Sequence, residues 1–165
     1  MKLLELNPSP FPKEQLFRKL EEQKILINRY AEEFFSHPDF STEQVSDSVI
    51  MIASLKEIGL ENGGSLDEIF AQAEKVFLKP CPVNTGLFLR LAWKDQPQSQ
   101  NSVLSGTHQA PDSSVTVLSA VIERNDAFPK GLYLRNVGGS LWLRGYVCGS
   151  SYRFCADDVF AFEKV

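Results

Sequence analysis

Three arginines interleave with three aromatic residues in the series Tyr133, Arg135, Trp142, Arg144, Tyr146 and Arg153. Five of them lie in "GLYLRNVGGSLWLRGYVC", around Gly138-Gly139, a dipeptide suited to the positive φ angles of a two-residue hairpin turn. Such a turn pairs Val137 with Ser140, Arg135 with Trp142 and Tyr133 with Arg144. Strand alternation then sends Leu132, Leu134, Leu141, Leu143 and Val147 to one side as core. Tyr133, Arg135, Trp142, Arg144 and Tyr146 go to the other. A second short turn at Gly149-Ser150 would set Arg153 opposite Tyr146 and add it to that face. A guanidinium clamps a carboxylate or phosphate at two points, and Trp, Tyr and Arg dominate binding hot spots. The face therefore predicts capture of an acidic peptide, a protein surface or an anionic small ligand. Two structural readings compete with it. Arginine over aromatic rings also stabilises paired strands, and carboxylates of packed helices would neutralise the same groups.

A second candidate lies in "DQPQSQNSVLSGTHQAPDSS", Asp95 to Ser114, a polar stretch with no usable period. Loops beyond about 12–15 residues are uncommon and are mostly functional or disordered. His108, with Ser105, Asp112 and Ser113 nearby, offers the base, hydroxyl and carboxylate of acyl transfer, which defines a second function class, a small hydrolase-like enzyme. No nucleophile elbow surrounds them. Turn chemistry at Gly106 and Pro111-Asp112 accounts for the same residues as a plain surface loop. The preferred reading is that the loop overhangs the arginine and aromatic face, with His108 adding contacts.

No cofactor or metal is expected. Cys148 and Cys155 have six intervening residues, unlike the short pairs of zinc sites, and the chain has only two histidines. Cys81 between two prolines reads as an inert thiol. Phosphate-binding, dinucleotide-binding and H-E-x-x-H motifs are missing. Glu21-Glu22 and Glu32-Glu33 read as solvated helix faces, and Asp157-Asp158 as a turn.

Charge narrows the partners further. The net charge is −4, with nine basic against fourteen acidic side chains in residues 1–79 and eight against seven in 80–165. That balance argues against nucleic acid, which needs a clustered basic surface, although aromatics with arginines would suit single strands. No apolar run approaches the roughly 18 residues that span a bilayer, and the start is too polar for a secretory signal. An odd cysteine count suggests a reducing compartment, so the cytoplasm is the expected location.

The elements that must carry these groups divide at Lys79. Residues 1–79 read as a helical region. Pro12 opens a helix bearing Leu16, Phe17 and Leu20; Asn28 caps one carrying Ile27, Tyr30, Ala31 and Phe34, which ends at His37-Pro38. Ser41 to Gln44 spells a capping box for a third, with Val45, Val49, Ile52 and Leu55 as its buried side and Gly59 its end. Ser65-x-x-Glu68 caps a fourth, with Leu66, Ile69, Phe70, Ala73, Val76 and Phe77 at helical spacing as its inner side. Residues 80–165 read as strands: 86–93, 114–123, 131–137, 140–148 and 158–165, with 151–154 a short return. Their connection lengths resemble those of a small SH3-like barrel. At 165 residues the expected fold is α+β: a helical N-terminal half packed on a small antiparallel C-terminal β-barrel, together one compact unit.

Overall fold

The computed structural model describes residues 1–100 and 111–165. Along the chain lie β1 (Lys2–Leu6), a 3-10 turn (Lys13–Gln15), α1 (Leu16–Glu22), β2 (Leu26–Ile27), α2 (Arg29–Ser36), β3 (Ser48–Ser54), α3 (Leu66–Lys75) and β4 (Leu78–Lys79). There follow α4 (Thr85–Ala92), β5 (Val115–Val117), β6 (Gly131–Val137), β7 (Ser140–Tyr146) and β8 (Val159–Lys164). All the strands join one open, mixed sheet in the order β1-β3-β8-β5-β6-β7-β2, with β4 also on β8. The β5–β8 and β2–β7 pairs are parallel and the others antiparallel.

The sheet separates two cores. On one side Ile50, Ile52, Val115, Val117, Leu134 and Leu143 meet α1, α2 and α4 through Leu16, Leu20, Phe34, Phe35 and Leu87. On the other, Phe160 and Phe162 meet Ile69 and Ala73 of α3, with Phe154 and Leu118. Tyr133 and Phe160 flank Thr116 in register, so the arginine and aromatic face belongs to this second side.

The expectation of a helical half on a small closed antiparallel barrel is overturned. Four strands come from residues 1–79, one helix comes from residues 80–165, and the sheet does not close. The SH3-like pattern falls with it. The predicted third helix is β3: "SVIMIAS" alternates, burying Ile50 and Ile52 on one face and Ala53 on the other, and its β-branched content suits a strand buried on both sides. Conversely, the predicted strand 86–93 is α4. Thr85 through Arg90 are all buried, and a short apolar run has no exposed side to reveal its period. The expected strand 114–123 shrinks to Val115–Val117, and 151–154 supplies only a bridge from Phe154 to Gly64.

Other local expectations hold. The Asn28 side chain caps α2 by accepting from the Ala31 N–H at 2.9 Å. Ser65 and Glu68 form a reciprocal capping box on α3. Gly138 and Gly139 turn with φ of 59° and 85° and set the hairpin register as expected, with Arg135 opposite Trp142 and Tyr133 opposite Arg144. Among the described residues no helix is long and apolar enough to cross a membrane.

Where α2 meets β7 the backbones nearly touch. A side chain begun at Gly145 would lie 2.5 Å from the carbonyl carbon of Tyr30. Gly145→Ala should therefore lower the unfolding free energy by about 1–3 kcal/mol through overpacking, seen as a lower urea midpoint at unchanged slope. An unchanged midpoint would show that α2 slides away freely.

Candidate functional site

The second side of the hairpin is built around Arg144. Its Nε donates to the Tyr133 hydroxyl at 2.7 Å, and its guanidinium lies 4.9 Å from the Trp142 ring centroid and 5.9 Å from that of Tyr133. None of the ion pairs among the described residues involves Arg144, and residues 101–110 contain no Asp or Glu. Trp142 and Arg144 are half-buried, whereas Tyr133 lies beneath them, 8% exposed. Leu26 pairs with Trp142 in register and is exposed beside it.

The remaining expected residues are divided: Arg135 stays beside Trp142 but is covered, Tyr146 is packed inward and Arg153 lies apart. Arg135 is 5% exposed and donates from Nε to Ser99 Oγ at 2.9 Å. Tyr146 lays its ring over Gly131, and its hydroxyl is buried with no hydrogen-bond partner among the described residues. Arg153 does not return opposite Tyr146; it is exposed and pairs with Glu68 at the start of α3, 2.9 Å away. His108, with Ser105, lies outside the described residues. The structure thus gathers Tyr133, Arg135, Trp142 and Arg144, and separates Arg153 from them.

Arg135 is covered by the stems of the Asp95–Ser114 connection, which runs from α4 to β5. Ser99 N–H donates to the Asn136 carbonyl at 2.8 Å, and Ser99 Oγ accepts from Arg135 and donates to the Asp112 carbonyl at 2.5 Å. The Gln100 N–H reaches Asp112 Oδ2 at 2.6 Å. Gln96, 2% exposed, joins both stems to β6. Its Nε2 donates to the carbonyls of Ser113 and Leu134, each 3.0 Å away, and its own carbonyl accepts from Asn136 Nδ2 at 2.8 Å.

Gln96 Oε1 also receives Arg90 Nη1 at 2.5 Å. Arg90 is fully buried on α4, donates to the Trp93 carbonyl as well, and leaves Nε without an acceptor among the described residues. No ion pair among the described residues involves it. Burial pushes its pKa down to about 10, so it stays a cation at neutral pH. Nothing in the sequence distinguishes this arginine from a solvated one; only its placement on a helix buried all round does.

Two further polar groups escape sequence reasoning, His37 because Glu123 lies 86 positions away and Lys130 because its acceptors are backbone carbonyls, which side-chain types do not reveal. His37 Nε2 meets Glu123 Oε1 at 3.0 Å, while Nδ1 accepts the Asp39 N–H at 3.1 Å. An Nδ1 that accepts carries no proton, so Nε2 holds it and donates to Glu123. With both nitrogens engaged, the ring is a tether rather than a general base. Lys130, buried at the start of β6, spends its three ammonium protons on the carbonyls of Glu123, Asn125 and Phe128, at 2.9, 2.5 and 3.2 Å. It thereby stiffens the connection from β5 to β6.

That connection walls a cleft of about 370 Å³ opposite α3, lined by Leu66, Asp67, Phe70, Val121, Arg124, Asp126, Lys130 and Cys148-Gly149-Ser150. The Cys148 thiol is pushed up, by burial first and by the Asp126 carboxylate, with Lys130 opposing. Cys81 is buried and shifted upward for the same leading reason. Neither is an activated nucleophile. No protein-family model, curated protein or solved structure matches the chain.

Gln96→Ala should destabilise the fold by about 2–4 kcal/mol, because it strips a buried guanidinium and two carbonyls of their partner. Hydrogen exchange should accelerate at the Ser99 amide, whose bond to Asn136 depends on that anchor. Unchanged exchange there would show that Gln96 does not fix the stem.

Proposed function

We propose that the chain is a non-catalytic binding protein that captures an acidic peptide segment at Arg144 and Trp142. The carrying observation is Arg144 itself: half-buried, held by the Tyr133 hydroxyl, stacked on Trp142, and without a carboxylate partner among the described residues. A guanidinium fixed through Nε keeps its outer N–H groups aimed, so less side-chain entropy is lost when a carboxylate arrives. The exposed Leu26 beside Trp142 adds an apolar shoulder for the peptide's neighbouring side chain. Arg135 supports this surface from below.

Trp93 is buried and Trp142 is half-buried, so tryptophan emission reports on the site. A hexaglutamate peptide carrying one leucine should change that emission saturably and bind more weakly as salt rises. Arg144→Ala should weaken binding about tenfold, with a small fall in urea midpoint from the lost Tyr133 contact but a fold intact enough to assay, and Arg144→Lys should recover only part of the affinity. Equal affinity of wild type and Arg144→Ala, or no saturable change, removes the assignment.

A further inference from the structure

The cleft between α3 and the β5–β6 connection carries a different recognition chemistry from the Arg144 surface. Its apolar wall is Leu66 and Phe70 from α3 with Val121 opposite. Around that wall stand Asp67, Asp126 and Arg124, none of which takes part in an ion pair among the described residues. Asp126 is placed against Gly149, its Oδ2 3.4 Å from where a side chain there would begin. Lys130 adds positive charge, but its ammonium protons are already taken by three carbonyls, so it acts through its field and not as a ligand contact.

These charges discriminate between ligand classes. A purely anionic ligand meets two carboxylates. A purely cationic one meets Arg124 and the nearby Lys130. A wholly apolar one would strip water from all of these charged groups without replacing it, an unfavourable exchange. A ligand carrying both signs on a short frame, with an apolar body, satisfies each group. A volume of about 370 Å³ lies at the small end of the roughly 300–1,000 Å³ range of small-molecule sites. We propose that this cleft binds a small zwitterion of amino-acid size, with its ammonium at Asp126 and Asp67, its carboxylate at Arg124 and its apolar side chain on Phe70, Leu66 and Val121. The rigidity that Lys130 and the His37–Glu123 contact give the wall keeps the two signs at fixed separation.

The test is an amide-shift titration of the whole chain with L-phenylalanine, 3-phenylpropanoate and phenethylamine, the last two lacking the ammonium and the carboxylate respectively. Phenylalanine should give saturable shifts centred on Phe70, Val121 and Cys148, and each truncated analogue should bind about tenfold more weakly. Asp126→Asn and Arg124→Gln should each cost a similar factor at unchanged melting temperature, with Arg124→Lys recovering part of it. Arg144→Ala should leave amino-acid binding intact, which separates this proposal from the peptide surface. Absence of saturable shifts at the cleft, or analogues binding as well as the amino acid, overturns it.

Discussion

The Asn28 carboxamide stands in for a peptide group at the edge of β7, and the rest of the packing depends on that substitution. β2 ends after two residues, so the outward-facing N–H and C=O of Gly145, on the side away from β6, would have no strand beside them. Asn28 Oδ1 accepts the Gly145 N–H at 2.9 Å, and its Nδ2 donates to the Gly145 carbonyl at 3.1 Å. The same oxygen accepts from Ala31 and starts α2. One side chain thus ends a strand pair, opens a helix and binds the two together, satisfying three backbone groups at the junction. From there α2 delivers Phe34 and Phe35 into the core and His37 to Glu123, and the Glu123 carbonyl in turn holds Lys130.

What the sequence makes legible follows from how local each determinant is. The hairpin register could be read because two glycines and period-two alternation lie within a few residues of each other. The caps at Asn28 and Ser65 are similarly local. β3 and α4 were exchanged for the opposite element because β3 has a core on each of its faces and α4 is buried from Thr85 to Arg90, which weakens the polar half of any periodic signal. Val45, Val49, Ile52 and Leu55 happen to fall at helical spacing, yet they span a loop, a strand and a turn.

The candidate site divides along the same line. Pairing of Arg144 with Tyr133 was foreseeable from register, as was the stacking on Trp142. The covering of Arg135 was foreseeable only as a tendency of long loops to cross a sheet, since the bond to Ser99 spans 36 positions. Arg153 left the expected face because Gly149 begins a turn closed by the Tyr152 N–H rather than a ladder, and because Glu68, 85 positions earlier, offers it a carboxylate. The cleft charges gave no signal at all: single Asp and Arg residues in a connection look like ordinary solvation until α3 faces them.

The strand at the middle of the sheet, β8, is also the last element along the chain, and it alone bridges β1–β3 to β5–β6–β7. The two groups of strands can each begin to form while the polypeptide is being synthesised, but they stay unconnected until residues 159–164 emerge. Every contact that β8 makes with β3 or β5 closes a loop of dozens of residues, which costs entropy before any burial offsets it. Until β8 docks, β3 and β5 therefore face each other across an open slot, lined on one side by Ile52 and Ala53 and on the other by Thr116 and Val117. Two unpaired strand edges of this kind are a template for pairing with other chains, and the docking of β8 is what removes both at once.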